Sequence, residues 1–191
     1  MTELKGRRKK QVKPTLGIFR NFPQIIHGIG EATHNDQMYK IQQATIMGLK
    51  ELNNYREPYP LSISGKSGTY MGTLGFEIGI ADDIYFNYLD DETVQNLYKL
   101  LNPKRNYRLL DFLIIVTYHY TQQKKSIALN FDHFHFRLIF NKRKIECRVF
   151  HNKGIRRMSI NELINRIYDR IRKSMIQSSL GILTVRRTKT L

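Results

Sequence analysis

From Asn130 to His151 the chain reads NFDHFHFRLIFNKRKIECRVFH, two runs in which apolar and polar residues alternate, joined by a basic turn. Strand side chains point alternately to the two faces, so this pattern fits a half-buried β-hairpin and little else. Phe134, Phe136, Leu138 and Phe140 hold one face of the first run, and Ile145, Cys147 and Val149 one face of the second. To bury both sets together, even positions of the first run must oppose odd positions of the second. Two turns satisfy that condition, one centred on Asn141 and Lys142 and the other on Lys142 and Arg143. Asparagine tolerates the left-handed backbone of a type I′ turn, which favours the first. Upstream, Ile127, Leu129 and Phe131 have the opposite parity, and a β-bulge near Asp132 and His133 would reconcile the halves.

The segments around this hairpin give an α+β chain with a mainly antiparallel sheet, packed helices and a basic, amphipathic C-terminal helix. That last helix opens at SINE, a capping box with Ser159 as N-cap and Glu162 three residues on. Ile160, Leu163, Ile164, Ile167, Ile171 and Met175 form its apolar stripe, while Arg166, Arg170, Arg172 and Lys173 fall on the other side. A second helix is expected over 36–53, where apolar positions recur at helical spacing until NNYREPYP stops them. In TYMGTLGFEIGI the period is two, which predicts a strand from 69 to 80 and, after a turn at ADDI, a second from 84 to 89. Residues 90–93, DDET, cap a short helix. A short strand is expected at 15–19, a loop or bent strand over 20–34, and the apolar run 107–121 is read as a helix. One domain then spans 15–185, between a flexible basic arm at 1–14 and a basic tail at 186–191.

Charge is the strongest functional signal. The chain of 191 residues carries a net charge of +16, distributed unevenly. Residues 1–14 hold six Lys/Arg against one acid, residues 15–140 twelve against twelve, and residues 141–191 fourteen against three. A neutral body with basic ends points to a polyanion. No window reaches the ~18 apolar residues of a membrane-spanning helix, so no membrane partner is expected. The single cysteine, Cys147, excludes an intramolecular disulfide and fits a reducing, cytoplasmic setting.

Four patterns invite more specific chemistry. SGKSGT at 64–69 looks like a phosphate loop, but Pro60 stands where its first glycine should be and offers no N–H to a phosphate. HGIGEATH would align His27, Glu31 and His34 only on a helix that its two glycines disfavour. Asp132 followed at a distance by Glu146-x-Arg148 resembles the metal-binding pattern of restriction-like nucleases, and the resemblance covers only this hairpin. It implies that Asp132 and Glu146 share a metal ion, yet either permitted register leaves them at least five residues apart along the strands, about 17 Å. Arginine at 148 is also a poor substitute for the lysine such sites use. His133 and His135 lie on one face without a third ligand, which makes them surface or ligand-touching residues. No metal and no cofactor is therefore expected.

The expectation is a non-enzymatic nucleic-acid-binding protein that contacts mainly phosphates. The hairpin would supply Lys142, Arg143, Lys144, Arg148 and Arg137, with His135 and Phe150 as stacking platforms and Glu146 neutralising only one of the two arginines. Arg166, Arg170 and Lys173 would continue the surface on the helix, and Arg7 and Arg8 would reach further phosphates from the arm. RNA and DNA are both open, as are a ribonucleoprotein particle and a homo-oligomer. The alternatives are a metal-dependent nuclease or phosphodiesterase using Asp132, His133, His135 and Glu146, and a basic interaction subunit that binds an acidic protein partner.

Overall fold

The structure, a computed structural model, describes residues 15–53, 55–63, 67–104, 107–122 and 125–191. In chain order it contains β1 (Gly28–Thr33), α1 (Met38–Leu52), β2 (Arg56–Ser62), β3 (Thr69–Asp82), β4 (Tyr85–Tyr88), α2 (Asp91–Leu100), β5 (Leu109–Gln122), β6 (Lys125–Ala128), β7 (Asp132–Asn141), β8 (Lys144–Lys153), α3 (Ile160–Gln177) and β9 (Thr184–Thr190). The strands form one sheet in the order β2-β3-β5-β7-β8-β1-β9, with β4 added to β3 and β6 to β5. Each of these pairings is antiparallel. Together with the three helices this makes an α+β fold.

Alternation along the strands sends one set of side chains to a face covered by α1 and α3. Phe112, Ile114, Val116 and Tyr118 of β5, Phe134, Phe136, Leu138 and Phe140 of β7, and Ile145, Cys147 and Val149 of β8 are all buried there. Burial pushes the Cys147 thiol up to about 12, since the thiolate would have no water to stabilise it. Both predicted helix caps form: Ser159 accepts from the Glu162 N–H at 3.1 Å and Asp90 from the Thr93 N–H at 2.8 Å. The stripe of α3 is buried from Ile160 to Met175, and each such side chain contributes roughly 1.5–3 kcal/mol of transfer free energy. No helix among the described residues is long and apolar enough to cross a membrane.

Five local expectations need correction. Residues 109–122 form strand β5, buried on one face, and not a helix; their β-branched and aromatic content decides the matter once β3 and β7 flank them. REPYPLS is strand β2, whose two prolines are tolerated because it pairs with β3 alone at the edge of the sheet. Residues 15–19 make only isolated bridges, Leu16 to Asp82 and Phe19 to Asp83. The final residues are no tail, since 184–190 form β9 against β1. Within 20–34, the segment 28–33 is a full strand between β8 and β9. Its glycines answer a steric demand: a Cβ on Gly30 would lie 2.6 Å from Ile164 Cγ2 and 2.7 Å from Cys147 Sγ. The proposed arm at 1–14, with Arg7 and Arg8, and the first half of SGKSGT, residues 64–66, lie outside the described residues.

Candidate functional site

The hairpin β7–β8 forms with Asn141 opposite Lys144, so Lys142 and Arg143 are the central turn residues. The alternative centred on Asn141 and Lys142 does not occur. The parity change upstream has another cause than a bulge in β7: the first run is two strands, β6 and β7, and Asp132 takes a core-facing position with no exposed surface. The register does shift beside His133, but the extra residue lies on β8, because His133 faces Lys153 while Phe134 faces His151.

Asp132 is therefore a buried carboxylate. Its Oδ1 accepts from the Arg156 N–H at 2.6 Å and lies 3.2 Å from His151 Nε2, while its Oδ2 accepts from the Tyr118 hydroxyl at 2.8 Å and the Arg157 N–H at 2.9 Å. Tyr118 in turn accepts from the Met158 N–H at 3.0 Å. These bonds fix the link between β8 and α3, where Gly154 takes a φ of +112° directly against Asp132. Burial and the hydrogen bond to Asp132 both push the Tyr118 hydroxyl upward in pKa. Glu146 is paired with Ile139, seven positions along β7 from Asp132, and no cluster of three metal-ligating side chains occurs among the described residues. The restriction-nuclease pattern thus has no counterpart in space. Nor does HGIGEATH converge: β1 carries Glu31 on the face away from the helices, and His34 is buried beyond its end.

The helix-free face of the sheet has two halves. Over β5 and β7 it is covered by residues 15–27, held by Asp111, which is 1% exposed. Asp111 accepts from the Phe19 N–H at 2.8 Å and from Arg137 Nε and Nη2 at 2.6 and 2.8 Å. The Arg137 guanidinium also lies 4.0 Å from the Phe22 ring centre. His135 is enclosed by this cover, stacked on Phe19 with ring centres 5.1 Å apart and flanked by Phe86 and Phe150. Its Nδ1 has no hydrogen-bond partner, and burial pulls its pKa below the usual histidine range. That burial takes His135 out of the surface as a stacking platform. Phe150 is half-buried, with one face stacked on His27 at 4.9 Å.

The other half, over β8, β1 and β9, is open and basic. Arg148 stands directly opposite Arg137, and on its other side the row continues through Ile29 to Lys189. In the next row Glu146 is followed by Glu31 and Arg187. Arg186 donates to the Thr33 hydroxyl from the same edge. Lys142 and Arg143 project from the turn, exposed and without an acidic partner among the described residues. Lys144 meets Glu31 at 2.8 Å, and Arg148 meets Glu146 at 2.8 Å. Glu146 therefore serves Arg148 and not Arg137, whose charge is balanced by Asp111 on a third strand, outside the hairpin.

The expected union of hairpin and α3 does not form. α3 packs on the opposite face of the sheet, and its Arg166 pairs with Glu57 of β2 and with Glu162. Arg170 lies 4.1 Å over the Tyr55 ring, and Lys173 is exposed on the same helix. Arg186, Arg187 and Lys189, expected on a basic tail reaching further phosphates, stand instead on strand β9, as the alternation across VRRTKT allows. No family model matches the chain, no curated protein matches it, and no solved structure matches it.

Proposed function

We propose that the chain binds a nucleic acid, without chemically altering it, across the helix-free face of β8, β1 and β9 and the turn at Lys142 and Arg143. The observation that carries this reading is the register of β9, which sets Arg187 and Lys189 in line with Glu31 and Ile29 and so adds cations beyond β1 to those of the hairpin. Contacts would be mainly to phosphates, with Phe150 and His27 at the border of the face. The cations of α3 lie on the far side and add only a long-range field. Binding in preference to catalysis is supported by Asp132, whose acceptors are already occupied by the fold.

The test is a salt titration of binding to labelled single- and double-stranded RNA and DNA by fluorescence anisotropy. Each phosphate neutralised contributes about 0.7 to 0.9 to the slope of log K against log salt. The triple variant Arg186→Gln, Arg187→Gln, Lys189→Gln should lower that slope by about 2. If no nucleic acid binds at low salt, or if binding is indifferent to salt, the proposal fails. An acidic protein partner is then the reading to pursue.

A further inference from the structure

Between the covered and open halves of the sheet lies a pocket of about 280 Å³, walled by Phe22, Pro23, Gln24 and Ile26 on one side and by Arg137 and Arg148 on the other. We propose that this pocket is a phosphate-binding subsite, which receives one phosphate group of a nucleotide unit between the two guanidinium groups. The inference rests on the nucleic-acid reading for its natural ligand, but the pocket has a test of its own.

The geometry is specific. Arg137 and Arg148 are directly opposite in the β7–β8 ladder, where like charges repel. Each is held by a separate acid, Arg137 by Asp111 on β5 and Arg148 by Glu146 two residues before it on β8. Arg137 uses Nε and Nη2 on Asp111, and Arg148 uses Nε on Glu146. A guanidinium has five N–H donors, so both keep donors to spare. Both arginines line a pocket whose other walls offer no carboxylate. An anion with several acceptor oxygens in a compact tetrahedron matches two forked donors better than water does. Phe22, stacked on Arg137, limits its rotamers, so little freedom is lost when the ligand arrives. Lys189, in the same row beyond Ile29, would draw the rest of the strand along the open face. The volume suits a phosphate with its sugar and excludes a folded helix end.

Two measurements decide the matter. First, anisotropy with a twelve-nucleotide single strand, made with and without a 5′-phosphate, compares the native protein with Arg148→Gln, Gln24→Glu and Lys189→Gln. Gln24 is exposed, and a glutamate there would place a carboxylate where the phosphate binds. Loss of charge-assisted hydrogen bonds predicts weakening of about tenfold to a hundredfold for the two pocket variants, but only a few-fold for Lys189→Gln. A selective gain from the 5′-phosphate assigns the pocket to strand ends, and equal affinities assign it to internal phosphates; both support it. If Arg148→Gln and Lys189→Gln weaken binding equally, the subsite is overturned while the binding face stands. Second, NMR follows the arginine Nε–H signals as inorganic phosphate is added. Shifts at Arg137 and Arg148 that vanish in Gln24→Glu support the pocket even if no nucleic acid binds. Absence of any shift overturns it.

Discussion

Replacing Asp132 by Asn keeps the shape of the side chain and removes only its charge and half of its accepting capacity. In the native protein both oxygens serve two donors each, the Arg156 N–H and His151 on one side and the Tyr118 hydroxyl and Arg157 N–H on the other. Whichever way the Asn amide is turned, its NH₂ meets one of these pairs, so at least one backbone N–H, of Arg156 or Arg157, faces another donor against the buried side chain. That costs roughly 1–3 kcal/mol, and the surviving bonds weaken by about 1 kcal/mol when their acceptor becomes neutral. Relief from burying a charge offsets part of this, which leaves about 2 kcal/mol out of a total stability on the order of 5–15 kcal/mol. In urea, with a slope of about 2 kcal/mol per molar, the midpoint should fall by roughly 1 M. Tyr118→Phe removes one donor to Asp132 and strands the Met158 N–H, so the double variant should cost about 1 kcal/mol less than the sum of the singles. A midpoint shift under ~0.5 M for Asp132→Asn, or strict additivity in the double variant, would refute the idea that this carboxylate organises the link to α3.

Two further perturbations test the packing of the sheet's faces. His135 is buried with its pKa lowered by desolvation and by His133, and raised in part by Asp111. The unfolded chain therefore takes up a proton first, near pH 6.5, so stability is full above that value and is lost as pH falls toward the folded pKa. His27 and His133 are lowered as well, so His135→Phe should flatten the fall between pH 7 and 5 without abolishing it, as followed by thermal melts. Because Phe has no Nδ1 to leave without a partner, it should also be neutral or stabilising at pH 7.5. Gly30→Ala should destabilise by about 1–3 kcal/mol in chemical denaturation, since its Cβ would force Ile164, Tyr168 and Cys147 outward.

Local signals proved strongest where chemistry and period coincide. The caps at Ser159 and Asp90, the stripe of α3 and the strand pattern of β3, β7 and β8 were all legible because each needs only neighbours in sequence. Residues 109–122 were misread because a strand flanked by β3 and β7 in the core presents no short-range signal distinct from a buried helix. β1 cannot be told from a loop in the sequence because its core-facing residues are Gly28, Gly30 and Ala32, so the alternation is one of size and not of hydrophobicity. The partner of Arg137 could not be found from the hairpin alone: Asp111 lies 26 residues away on β5. Asp132 misled in an instructive way, for a carboxylate in the core-facing register reads as a break in parity until its donors are known.

An antiparallel sheet can leave one face to water, and that alone requires polar side chains there. It does not require them to be cationic, and on β8, β1 and β9 the solvating role would be served equally by acids. The two explanations separate on Lys142 and Lys189. Lys142 is at the exposed turn, and Lys189 is an exposed edge-strand residue whose cross-strand neighbour is Ile29. Lys142→Glu with Lys189→Glu keeps both positions charged and solvated, so the melting behaviour should change by no more than about 0.5 kcal/mol per site. If the face exists to meet phosphates, the same double variant should lose at least tenfold in affinity for a single strand at low salt, because two attractions become two repulsions. A variant that melts like the native protein and binds equally well would show that the basic face is merely soluble surface, and would remove the ground on which the binding proposal stands.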